Sequence, residues 1–156
     1  MGQRRKAREL AAQTLYALSF REVNPEYREY EMLNSYPEIL NDLAQMENLS
    51  ESPGVIDFAN ELVMNSIIHQ EDITKQIEKH SENWSEKTMA KVDRSILQLA
   101  IYELMFTDTP AAVIINEALE IAKKFCGSGT IKFLNGVLDA VNKELRDREK
   151  IEGDKI

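Results

Sequence analysis

The chain has 156 residues, 43% of them hydrophobic, with 19 Lys and Arg against 27 Asp and Glu and a formal net charge of −8. That length suits one compact domain or two closely packed subdomains and excludes two independent folds. The absence of any run of 18 apolar residues, a cationic start that leads into an amphipathic stretch, and a single cysteine, Cys126, exclude a membrane span and secretion and predict a cytoplasmic protein.

Six Gly and four Pro are few for this length, and Leu, Ala, Glu, Lys, Ile and Met dominate, so the fold class is all-α. Residues 3–20 contain no Gly or Pro, and Ala7, Leu10, Ala11, Thr14, Leu15 and Leu18 recur at helical spacing. On that projection Arg4, Arg8, Arg5 and Tyr16 follow one another along the flank of the apolar stripe. Between Val23 and Gly54, Pro25, Pro37 and Pro53 punctuate an acidic, Tyr-containing stretch, which reads as two short helices. Residues 56–80 return to helical periodicity through Phe58, Leu62, Val63, Ile67, Ile73 and Ile77, with a break near Gln70 and Asp72 as a cap for a second helix.

After a polar stretch containing Trp84, residues 89–106 are apolar almost all round, as befits a helix at the centre of a core. Asp108, Thr109 and Pro110 start the next helix, 111–125, which should stop at Gly127 as a C-terminal glycine. A last helix, 131–146, repeats Ile131, Leu134, Leu138, Val141 and Leu145. The division predicted is a helical subdomain at 1–82 with the basic first helix, a second at 83–147, and a flexible tail at 148–156.

Little in the chain suits catalysis. His69 and His80 are the only histidines and no second cysteine completes a metal-ligand set, so no metal is expected. Cys126 has no histidine base near it in sequence. The segment from Gly127 to Lys132 lacks the spacing of a phosphate loop, yet it leads into a helix start with Lys132 in its first turn, where an anion is attracted. Phe133 falls away from the Ile131, Leu134, Leu138 stripe, which leaves two readings open: a helix buried on two sides, or a partly exposed ring beside Lys132 that stacks an unpaired base.

Four of the basic residues, Arg4, Arg5, Lys6 and Arg8, fall within the first eight positions of an otherwise acidic chain. Cations at a helix N-terminus oppose its dipole, so solubility alone is a poor reason for them and phosphate neutralisation a better one. Asp93, Arg94, Glu103, Asn116 and Glu117 stand at positions expected to be inside, where charge is costly unless paired. They read as an internal polar network or a seam facing a partner.

Taken together, Arg4-Arg5-Lys6-Ala7-Arg8-Glu9-Leu10-Ala11 with Gln13 to Tyr16 resembles the opening of the NusB family of transcription antitermination factors. Val92-Asp93-Arg94-Ser95-Ile96-Leu97, Ala100-Ile101-Tyr102-Glu103-Leu104, Pro110 with Ile115-Asn116-Glu117-Ala118, Ala122-Lys123-Lys124-Phe125 and Lys132-Phe133-Leu134-Asn135-Gly136-Val137-Leu138-Asp139 are similar to that family's ordered signature. Lys6 departs from the family's usual Arg, keeping charge but losing the bidentate fork. The turn Ser128-Gly129-Thr130 is shorter and less acidic than usual.

The resemblance implies two packed helical subdomains and a non-enzymatic protein without cofactors that binds single-stranded boxA RNA of ribosomal RNA leader transcripts. It implies a heterodimer with the NusE ribosomal protein, a place in the RNA polymerase antitermination complex, and, as in some members, a possible homodimer. Carried onto matching positions, it assigns phosphate contact to Arg4, Arg5, Lys6 and Arg8 and base contact to Lys132 and Phe133, with the partner placed near Tyr16 and Glu103. Two rivals are a protein-only scaffold and an accessory module of an RNA cytosine methyltransferase; without a glycine-rich cofactor-binding domain, methyl transfer is not expected.

Overall fold

A computed structural model describes residues 2–81 and 89–154, and every described element is helical. The helices run α1 Gln3–Leu18, α2 Arg28–Met46, α3 Pro53–Ile68, α4 Gln70–His80, α5 Lys91–Phe106, α6 Ala111–Phe125 and α7 Ser128–Asp154, with a short 3₁₀ turn at Pro25–Tyr27 before α2. They fall into two compact units, Met1–Glu71 and Asp72–Ile156. Trp84 and the boundary expected between residues 82 and 83 lie outside the described residues.

In the first unit α1, α2 and α3 each pack against the other two. All six apolar-face positions read from the first helix, Ala7 through Leu18, are buried, and the Thr14 hydroxyl among them donates to the Leu10 carbonyl at 2.8 Å. In place of the two short helices expected between Val23 and Gly54 stands one 19-residue helix with Pro37 inside it. An interior proline costs about 3 kcal/mol, but Met32, Tyr36, Leu40 and Ala44 make one buried stripe across it. Burying large apolar side chains is worth roughly 1.5–3 kcal/mol each, so the stripe outweighs the break. Pro25 and Pro53 do punctuate, each opening its element at a position where a missing N–H costs nothing. The Tyr36 hydroxyl donates to Asn60 Oδ1 at 2.6 Å and ties α2 to α3.

In the second unit α5, α6 and α7 pack on one another. Every residue from Ser95 to Glu103 is buried, as the all-round apolar pattern required. The break between α3 and α4 falls at His69, so Asp72 lies inside the first turn of α4 and is not its cap. Helix α6 ends at Phe125 with Cys126 already extended (φ −118, ψ 162), and no described glycine has positive φ. The expected glycine cap at Gly127 is therefore not used; its carbonyl instead accepts from Thr130 N at 3.1 Å in the start of α7. That helix begins three residues earlier than periodicity suggests, because Ser128, Gly129 and Thr130 carry no apolar signal, and runs on to Asp154.

Glu144 of α7 gathers two cations and a histidine: Lys79 and His80 from the end of α4, with His80 Nε2 at 3.4 Å, and Arg148 at 3.1 Å one turn on. The hydrogen bond from Lys79 holds its carboxyl below the usual range against the opposing effect of burial, with Gln76 and Arg148 adding to the lowering. A carboxylate with a depressed native pKa stabilises the fold above its unfolded value and loses that contribution as pH falls through the native one. Glu144→Gln should therefore lower the urea midpoint at pH 7, and the gap to the parent should close on acidification below the ordinary glutamate range. A gap unchanged at pH 3 would refute the assignment.

Candidate nucleic-acid interface

Helix α1 begins with Gly2 as its cap, in extended conformation and with no side chain to satisfy the first N–H groups. No acidic residue occupies its first turn. The orphan N–H groups and the partial positive charge of the helix end therefore point the same way as the cations that follow. Arg4 is exposed, Arg5 and Lys6 are half-buried, and Arg8 is only 4% exposed. Arg8, expected to contact phosphate, is thus covered, because position 8 lies against the buried face of α1 beside Ala7 and Ala11.

Phe58 of α3, which periodicity treats as one more apolar residue, sits beneath this strip. The Arg4 guanidinium carbon lies 4.7 Å from the ring centroid and that of Arg8 5.4 Å, both within cation–π range. The pair Arg4 and Arg8, one helical turn apart, is thereby brought onto a single ring. Only the tertiary packing of α1 on α3 reveals it; the sequence signal is no more than a large aromatic at the edge of the Val55, Ala59, Leu62 face.

At the other end of α1, Tyr16 is 40% exposed and meets Phe20, 57% exposed, edge to face at 5.0 Å and 87°. Phe20 lies past the last helical residue, outside any periodic pattern, and nothing in the sequence singles it out. Two exposed aromatic rings in contact make a surface of the kind proteins use for partner contact. Glu103, the other expected partner residue, is 2% exposed within the buried run of α5, so its carboxylate is not presented for a partner.

In the second unit Lys132 is exposed and Phe133 half-buried, which favours neither a sealed ring nor an open one. Because α7 starts at Ser128, Lys132 stands in its second turn and not in the first. Exposed Asn135 follows on the same helix. Lys123 and Lys124 close α6, where cations complement the helix dipole; Lys123 pairs with Glu120 at 2.8 Å and Lys124 lies 5.4 Å from the Phe125 ring.

The inward polar residues of α5 are held within this unit. Arg94 donates to Thr74 Oγ1 at 2.8 Å, linking α5 to α4, and buried Asp93 accepts a hydrogen bond from the Cys126 thiol. Glu117 is half-buried, whereas Asn116 is exposed, contrary to the inside position expected of it. The buried face of α6 is Ile114, Ala118, Ile121 and Ala122, and residue 116 points away from it. Among the described residues no cluster of three or more His, Cys, Asp or Glu could hold a metal ion, and no helix is long and apolar enough to cross a membrane.

Burial, helped by the hydrogen bond and the negative charge of Asp93, pushes the Cys126 thiol up to about 12. A thiol that keeps its proton is a poor nucleophile at neutral pH. Alkylation of native protein by iodoacetamide at pH 8 should accordingly be far slower than in urea, and Asp93→Asn should speed it by removing the two lesser causes. Equal rates in native and unfolded protein would contradict the half-buried, protonated thiol.

The NusB family matches this chain over residues 5–143. The transcription antitermination protein NusB of Elusimicrobium minutum (strain Pei191) is 38% identical over 149 residues, covering 94% of this chain and 98% of that protein. That of Geobacter sulfurreducens is 40% identical over 149 residues, covering 95% and 99%. Among solved structures, that of T. maritima NusB superposes with a TM-score of 0.73 at 32% identity, covering 96% of each chain. A chain in the crystal structure of antitermination factors NusB and NusE in complex with dsRNA gives 0.75 at 27% identity, covering 92% of this chain and 98% of that one.

Proposed function

The chain belongs to the NusB family, and from that premise we propose that it is a cytoplasmic transcription antitermination factor that binds the boxA RNA of ribosomal RNA leader transcripts together with the NusE ribosomal protein. The observation that carries the reading is the first turn of α1, where exposed and half-buried cations stand on uncapped N–H groups with no acid among them. Such an end costs about 0.3–1 kcal/mol per opposed charge in the free protein. It is repaired when phosphate arrives, since each neutralised phosphate also releases counterions.

The function is one of binding, with no chemical step. Arg4, Arg5 and Lys6 contact phosphates, the arginines through forked N–H donors and the lysine as a point charge. Lys132 holds a further phosphate and Phe133 stacks an unpaired base, an interaction that tolerates any base because each has a π face. The edge-to-face pair Tyr16 and Phe20 contacts the NusE protein, whose docking brings the complex to RNA polymerase.

Arg4→Ala with Arg5→Ala should weaken boxA RNA binding and reduce the slope of log K against log salt by about 0.7 for each phosphate of a single strand that is no longer neutralised. Wild-type affinity at matched salt would refute the phosphate role. An electrophoretic shift with boxA RNA, run with and without the NusE protein, separates an RNA binder from a protein-only scaffold: a scaffold gives no shift of its own in either lane. Tyr16→Ala should weaken NusE binding in titration calorimetry by roughly 1–2 kcal/mol, the range for a contact aromatic, while leaving the affinity for RNA alone unchanged; unaltered NusE affinity would remove Tyr16 from that surface.

A further inference from the structure

We propose that Phe58 of α3 is a positioning residue for RNA, its ring holding the Arg4 guanidinium in the orientation from which it meets a phosphate; this rests on the RNA-binding reading of the α1 cations. The ring serves two arginines one helical turn apart, at 4.7 and 5.4 Å, and they differ in depth: Arg8 is 4% exposed and Arg4 is exposed. The inner arginine and the ring form a fixed floor, and the outer one is left at the surface with its guanidinium over the aromatic face.

Two features of this arrangement point to a nucleic-acid role over a stabilising one. Stacking uses the flat face of a guanidinium and leaves its N–H donors at the edge, so the group stays able to fork onto a phosphate. An aromatic ring attracts the cation through its quadrupole but carries no net charge. A carboxylate at position 58 would order Arg4 equally well, offset the like-charge repulsion between positions 4 and 8, and answer the helix dipole. It would also cancel the charge that an RNA strand needs. In a chain with 27 Asp and Glu, Arg4 makes no ion pair among the described residues, and a phenylalanine stands beneath it.

The ring is itself braced. Phe58 lies at the edge of the face that α3 buries through Val55, Ala59 and Leu62, and it is half-buried there. A long arginine ordered before the RNA arrives loses less freedom on binding, which raises affinity without any new contact.

The test compares Phe58→Leu, which keeps apolar bulk without the π face, with Phe58→Trp, Arg4→Ala and the Arg4→Ala/Phe58→Leu pair, by boxA RNA affinity across a salt series and by thermal unfolding. Phe58→Leu should bind about fivefold more weakly, the scale of one or two cation–π contacts, with a salt slope lower by about 0.7 because one phosphate is no longer neutralised. Phe58→Trp should restore both, and the pair should bind no more weakly than Arg4→Ala alone. A structural defect would lower the melting temperature without moving the slope, and that result, additive losses in the pair, or a tryptophan variant no better than leucine would overturn the proposal. If Phe58→Leu does not fold, the wild-type protein still decides: the Arg4 δ-methylene protons should show an upfield ring-current shift in the absence of RNA, and random-coil positions would overturn the proposal. Wild-type protein that fails to bind the RNA at all sinks the antitermination reading, whereas wild-type binding with an unaffected Phe58→Leu variant sinks only this one.

Discussion

Helix α1 has to satisfy two demands with one rotation about its axis. Its apolar stripe, Ala7 through Leu18, is buried where α1 packs with α2 and α3, and that burial fixes which way every other residue of the helix faces. Six buried positions at roughly 1.5–3 kcal/mol apiece for the larger ones leave the helix no freedom to turn its cations elsewhere. The direction of the basic strip is therefore a consequence of core packing. The unfavourable terms at its N-terminal end, about 0.3–1 kcal/mol per charge, are too small to rotate or unwind it. A cationic surface that is locally strained in charge can persist because the core beneath it is not.

The same logic separates the polar residues of α5. A helix buried from Ser95 to Glu103 can keep charges only where neighbouring elements answer them. Arg94 finds Thr74 of α4 and Asp93 finds the thiol of Cys126 at the end of α6, so two potential sites of chemistry are absorbed into holding helices together. The protonated thiol is the by-product: burial raises its pKa, and the acid that orders it adds to the rise. Residues with reactive side chains are in this way converted to spacers and ties, and the surface features left for function are cations and rings.

Periodicity makes most helices legible, and the reason is visible in which ones it misses. The stripe of α1 and the all-round apolar run of α5 are strong enough to be read directly, as are Pro110 and the span of α6. Helix α2 reads as two because an interior proline is a louder local signal than the stripe of Met32, Tyr36, Leu40 and Ala44 that overrides it. The start of α7 is hidden because Ser128, Gly129 and Thr130 have poor helix propensity and carry no apolar side chain of the periodic stripe. At the candidate site the charges are legible and their depth is not: Arg4 and Arg8 look alike in sequence, and only the approach of α3 makes one a surface group and the other part of the floor.

That difference in depth bears on how an acidic protein can recognise an anion at all. Far from any surface, a net charge of −8 repels a nucleic acid, and the repulsion is screened within about 8 Å at physiological salt. Inside that distance only the local field counts, so a few cations at one helix end are sufficient, provided that whatever orders the outermost of them leaves its charge intact. Supporting Arg4 on an aromatic ring meets the condition, because a quadrupole falls off faster with distance than a charge and leaves the field seen by an approaching phosphate almost unchanged. The acidic remainder then acts as a filter that discourages nonspecific contact of a polyanion with the rest of the surface.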